Sequence, residues 1–198
     1  MHYSFASIGN FNRWFGFGET IDLFSGFSLD NHERLILSSD GSLTRLLESL
    51  YMSPVEVEVK DQKKDRIEEW VADYLCISPY QDVMIRDIWL TKGKERLVYA
   101  SSVFPVAGLD ETFLEKLKKG EEPIGHLLRT HNLLTMRDKW EIGVIQCREV
   151  ADDLRIPADV LLWARRYRLL ASPIGGMGIT AAILEIFSPA VIKADFRP

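Results

Sequence analysis

The sequence predicts an α+β fold: an antiparallel β-sheet carrying helices, with short helical flaps over a buried ligand site. Three observations lead there. Segments of period-2 alternation recur along the chain, two of them meet at a tight glycine turn, and helical periodicity is confined to short stretches between them.

The first helix starts behind Ser42, which can cap it, because Leu43, Leu46, Leu47, Leu50 and Tyr51 recur on one helical stripe. A strand follows, in which Val55, Val57 and Val59 alternate with Glu56, Glu58 and Lys60. The charged run from Asp61 to Glu69 reads as solvated loop and helix surface. Residues 83–91 and 96–104 form a hairpin about Lys92-Gly93-Lys94, where Gly can supply a positive φ. Asp110 opens a short helix ending at Gly120, and Pro123 starts another through Leu128. These two pieces are the expected flap. A strand near 132–145, a helical turn after Pro157, and strands near 164–171 and 179–188 around Pro173 to Gly178 complete the reading.

With 198 residues, 46% of them hydrophobic, the chain has material for one sizeable core and little for two. Residues 1–198 are therefore read as one domain, with an aromatic opening segment over 1–34 that includes Phe5, Phe11, Trp14, Phe15, Phe24 and Phe27. Wrapping the body and burying those rings is the simpler role for that segment, and a lid or partner surface is the sharper one. A net charge of −5 argues against a broad basic surface for nucleic acid or anionic lipid, so an anionic ligand needs a local clamp. Neither a secretory leader nor a transmembrane stretch is evident, and Cys76 and Cys147 read as reduced thiols of a cytoplasmic protein.

Two charges interrupt apolar strand faces. Alternation sets Arg86 beside Met84, Ile88 and Leu90, and Glu185 beside Ile179, Ala181, Ile183 and Phe187. Removing a lone ion from water is costly, so each needs a partner or a charged ligand. They could pair structurally with each other or with nearby polar groups. Otherwise Arg86 grips a carboxylate and Glu185 handles a proton or hydroxyl.

Five segments, in order, resemble the chorismate pyruvate-lyase family: Leu37 to Leu47, Ile85 to Leu90, Tyr99 to Pro105, Glu122 to Leu128, and Trp163 to Arg168 followed by Ile183 to Phe187. The match covers residues 35–190, the family core. The resemblance implies cofactor-free conversion of chorismate to 4-hydroxybenzoate and pyruvate. It makes Arg86 the carboxylate-binding arginine and Glu185 the acidic site residue, with flap contacts at Leu43 and Ile124. Where some family members carry Gly-Arg-Thr, this chain has Ala100-Ser101-Ser102, so a helping arginine is missing.

A second substrate carboxylate requires another donor, for which Arg137, Arg166, Arg168 and His131 are candidates. Alternation gives Arg166 and Arg168 one strand face, with Arg165 and Tyr167 on the other. The four histidines form no metal-ligand pattern, Gly175-Gly176-Met177-Gly178 lacks a phosphate-loop ending, and no nucleophile elbow occurs. The expected partner is a small anionic cyclic carboxylate. A related lyase or isomerase acting on another cyclic carboxylate would use the same residues. A ligand-sensing domain is the reading from a different class, although residues 1–35 do not resemble a DNA-binding helix-turn-helix.

Overall fold

Alternating strands that bury both faces need cover on each side, and the chain supplies helices for both. The computed structural model describes residues 14–107, 111–120, 122–131, 133–172 and 178–194. In chain order the elements are β1 (Trp14–Gly16), α1 (Thr20–Ser25), α2 (Asn31–Ser38), α3 (Leu43–Tyr51), β2 (Glu56–Asp65), α4 (Glu69–Leu75), β3 (Val83–Lys92), β4 (Glu95–Pro105), α5 (Glu111–Lys119), α6 (Ile124–Thr130), β5 (Leu134–Gln146), α7 (Arg148–Leu154), β6 (Leu161–Ser172) and β7 (Ile179–Phe187). The strands form a seven-stranded sheet ordered β1-β5-β6-β7-β4-β3-β2, and every adjacent pair is antiparallel.

Period-2 alternation sorts each strand's side chains between two cores. On one face Met84, Ile88, Phe104, Trp163, Leu169, Ala181, Ile183 and Phe187 meet Ile36 and Leu37 of α2, Leu43 and Leu47 of α3, Phe113 and Leu117 of α5, and Leu127 and Leu128 of α6. On the other, Val83, Trp89, Tyr99, Leu162, Leu184 and Ile186 meet Val71 and Leu75 of α4 and Val150 of α7. Leu47 is fully buried, so truncating it to Ala would cost about 2–5 kcal/mol.

The 92–94 turn forms as the sequence indicates, with Gly93 at φ 58° between β3 and β4. Three local features differ from expectation. Residues 61–65 of the charged run continue β2 rather than forming a loop, pairing through Asp65 opposite Val83. An edge strand exposes one side to water and so tolerates such a run. Ser42 stands at the α3 N-cap but makes no side-chain cap bond. Its hydroxyl is instead buried without a partner close to Gly125 of α6. The helices α1, α2 and α7 were not evident, because each is one or two turns long with little room for a periodic stripe. Phe24 and Phe27 of the opening segment pack edge-on against Trp163 at 6.3 and 5.1 Å. Phe5, Phe11, Asp110 and the turn at residues 173–177 lie outside the described residues.

Candidate functional site

Between the helices and one face of the sheet lies a hollow of about 570 Å³ of empty space, part of it open to solvent. Strand register explains it. Across the sheet, Arg165, Glu185, Ala100 and Ile88 form one row, and Tyr167, Ile183, Ser102 and Arg86 form the next. The small side chains of Ala100 and Ser102 on the middle strand leave space between larger neighbours. Both line the hollow, with Ile88, Leu90, Tyr167, Leu169, Ile183 and Glu185 around them and Leu43, Thr44, Ile124, Gly125 and Leu128 above. Arg86 and Glu185 are two strands apart, roughly 10 Å across the sheet.

Arg86 is fully buried, and among the described residues no carboxylate partners it. Its Nη2 donates to the backbone oxygens of Gly120 at 2.9 Å and Glu122 at 3.1 Å, in the linker joining α5 and α6. Nε and Nη1 are buried without hydrogen-bond partners. Burial lowers the guanidinium to about 10, so it stays charged at neutral pH. Such a cation, with donors unspent, is suited to an anion. The linker reaches it through Gly120, whose φ of 72° and tight contact with Val59 exclude a side chain.

Glu185 does not pair with Arg86. Its Oε2 accepts from Nε of Arg165, and its Oε1 accepts from the Tyr167 hydroxyl at 3.1 Å. Arg165 is fully buried, and its Nη1 also donates to the carbonyls of Ile36 at 2.5 Å and Ser39 at 3.1 Å. Burial, then the Glu185 charge, pushes the Tyr167 hydroxyl above its ordinary range and keeps it a proton donor. The Tyr167 ring stacks on Trp140 at 4.9 Å, while Arg137 lies over it at 5.4 Å. A bulge in β5 between Asp138 and Glu141, with Lys139 at φ 50°, brings Trp140 into that stack.

Of the other expected residues, Leu43, Ile124 and Arg137 line the hollow. Arg137 donates from Nη1 to the Asp40 carbonyl at 2.6 Å and keeps Nε buried without a partner. Arg166 and Arg168 require correction: they project from the opposite face, where Arg166 pairs with Glu141 at 2.6 Å and Arg168 with Asp138 at 2.5 Å. Arginine stands on both faces of β6, at 165 and at 166 and 168, so the strand's own pattern does not reveal which side meets the ligand. Arg165 and Tyr167 take the hollow-facing positions instead. The aromatic register Trp163-x-Arg165-x-Tyr167 was the available signal. His131 packs edge-on against Phe113 at 5.4 Å and does not line the hollow.

Among the described residues, Asp30, His32 and Glu33 bring metal-capable atoms within 4.8 Å of one another. The carboxylates are already engaged, Glu33 with the Asp30 backbone in a capping box and Asp30 with Lys193 at 2.5 Å.

An antiparallel sheet with a hollow under short helices defines this chain as an α+β domain of the chorismate lyase-like fold. The profile of the family described as chorismate pyruvate-lyase Rv2949c-like matches residues 37–195, and the chain belongs to that family. It is 31% identical over 125 residues to MJ0807 of Methanocaldococcus jannaschii, whose name describes a lyase; the aligned stretch spans 61% of this chain and 60% of that relative. The fold is shared with PhnF from Mycobacterium smegmatis, at 13% identity and TM-score 0.55, over 76% of this chain and 65% of that one. The effector domain of PhnF gives 16% identity and TM-score 0.54, over 76% and 90% of the two chains. The C-terminal domain of a histidine utilization repressor from Pseudomonas syringae gives 17% and 0.51, over 68% and 92%. At these identities the regulators share the fold alone. Among the described residues, no helix is long and apolar enough to cross a membrane.

Proposed function

We propose that the protein converts chorismate to 4-hydroxybenzoate and pyruvate, with Arg86 and Glu185 serving opposite ends of the ring. The observation that carries the reading is Arg86: a buried, charged guanidinium with two unspent nitrogens and no acidic partner among the described residues, paired in register with Ser102 of the hollow's lining. Arg86 binds the ring carboxylate, and Glu185 faces the ring hydroxyl. Arg137, with its unpartnered Nε, meets the enolpyruvyl carboxylate. Leu43 and Ile124 close the site from above.

The reaction breaks the bond between the ring carbon and the ether oxygen, whose electron pair leaves with the enolpyruvyl group. The neighbouring C–H pair becomes a ring double bond, completing aromatisation, and the enolpyruvyl methylene gains a proton to give pyruvate. The hydrogen can pass directly to that methylene, with Glu185 orienting the hydroxyl, or Glu185 can accept it. Orientation, charge placement and exclusion of water are what the residues supply. The free thiols of Cys76 and Cys147 agree with a cytoplasmic setting. Incubation with chorismate tests the reading: equal amounts of 4-hydroxybenzoate and pyruvate are expected, and unchanged chorismate refutes it.

The fold shared with effector domains favours a second reading, a domain that binds a small carboxylate without converting it. Binding of 4-hydroxybenzoate in the hollow without turnover of chorismate distinguishes it.

A further inference from the structure

We propose that Arg165 is a positioning residue, which fixes the Glu185 carboxylate toward the ligand and ties its orientation to the turn before α3. The proposal deepens the chorismate reading and rests on it for its kinetic consequences, though its structural content stands without a substrate.

Arg165 spans three groups. Its Nε donates to Glu185 Oε2, and its Nη1 reaches the carbonyl oxygens of Ile36 and Ser39, at the end of α2 and just beyond it. The residues that follow, Ser42, Leu43 and Thr44, line the hollow. A cation at a helix C-terminus is favourably placed for the unsatisfied carbonyls there. Around the guanidinium stand the rings of Trp140, Tyr167 and Phe187, at 4.9, 5.9 and 5.6 Å, which exclude water and limit its movement.

Both oxygens of Glu185 are engaged from β6, one by Arg165 and one by the Tyr167 hydroxyl. A carboxylate held at both oxygens loses rotational freedom about its last bond and presents its remaining lone pairs in a fixed direction. Glu185 lines the hollow, so that direction concerns the ligand. A ring hydroxyl bonding there meets an acceptor already oriented, the condition under which a positioned group lowers a barrier. Among the described residues Arg165, on the neighbouring strand, is the charged partner of Glu185, and Tyr167 is its uncharged donor; Arg137, on the strand beyond, lies over the Tyr167 ring.

The planar fork matters as much as the charge. Lysine at position 165 keeps the cation but cannot hold the carboxylate and both carbonyls in one plane. In a crystal structure of ligand-free Arg165→Lys, the Glu185 carboxylate is expected to rotate and lose the Tyr167 bond. An unmoved carboxylate overturns the proposal whatever the substrate.

Kinetics on chorismate supply the second arm. Arg165→Lys should lower kcat by about a hundredfold, with KM within a few fold. Since Arg165→Met alone leaves a buried carboxylate unpaired and can fail to fold, Arg165→Met/Glu185→Gln is the companion variant, in which both charges vanish together. If Arg165 acts through Glu185, the double variant loses no more activity than Glu185→Gln alone. Additive losses overturn the proposal. Absence of wild-type turnover refutes the chorismate reading instead, and leaves the crystallographic arm to decide on Arg165.

Discussion

Arg86 Nη2 donates to the Gly120 carbonyl oxygen at 2.9 Å, tying the middle of β3 to the linker between α5 and α6. The same nitrogen serves Glu122 at 3.1 Å. Each of the two edges by which a guanidinium grips a carboxylate in a fork includes Nη2. A ligand held that way must take one carbonyl's place, so binding at Arg86 is linked to movement of the linker.

Arg86→Ala should therefore do two things. Ligand-free, it should speed amide exchange across residues 111–120 and 122–130 relative to β3 and β4. It should also weaken binding of 4-hydroxybenzoate by about 1.5–3 kcal/mol, or roughly ten- to 150-fold. Unchanged exchange in those helices counts against the tie, and unchanged affinity in a folded variant counts against the clamp.

The pH dependence follows from burial, which lowers Arg86 to about 10. Below that value the cation is present and a carboxylate binds; as pH rises through it the free protein loses the charge and affinity falls. A bound carboxylate favours the charged form, so the bound-state value lies higher. Benzoate, which does not titrate there, is the appropriate probe in calorimetry. Flat affinity from pH 8 to 11, a window set by the lowered value, would contradict that lowering.

Gly120→Ala tests the linker from its own side. At φ 72° a non-glycine residue is strained by about 1–3 kcal/mol. Its Cβ would also lie 2.7 Å from Val59 Cγ2. A lowered Tm with raised KM is expected, and a wild-type Tm argues against the tight approach.

Arg168→Ala should leave chorismate turnover unchanged, because Arg168 and its partner Asp138 occupy the face away from the hollow. The Arg168 hydrogen bond holds the Asp138 carboxyl below its ordinary range. Whatever stability the pair adds is present above the unfolded carboxylate range and lost as pH falls through the lowered value. The pair is only partly buried and solvent screens it, so the contribution is modest. A large fall in kcat would return Arg168 to the site.

Arg86 and Glu185 were legible in the sequence because each is one charge on a strand face that is otherwise apolar. The hairpin was legible through Gly93, and the flap boundaries through Gly120 and Pro123. What escaped was the side of the sheet on which β6 meets the ligand. From residue 165 on, β6 buries its odd positions and leaves its even ones half-buried, but both sets carry arginine and apolar residues, so only its neighbours assign Arg165 and Tyr167 to the hollow. The pairing of Glu185 with Arg165 rather than Arg86 is likewise a matter of register, which sets side by side two residues 20 apart in sequence. Residues 61–65 misled because charge suggests a loop, whereas an edge strand accommodates it.

Chorismate mixed with wild type, Arg86→Ala and Glu185→Gln in parallel, with 4-hydroxybenzoate and pyruvate followed together, decides whether the hollow is an active site. Wild type should release both in equal amounts, Arg86→Ala should lose catalytic efficiency, and Glu185→Gln should lose kcat. Wild type that binds 4-hydroxybenzoate yet leaves chorismate intact would contradict the account and make the hollow a sensing site.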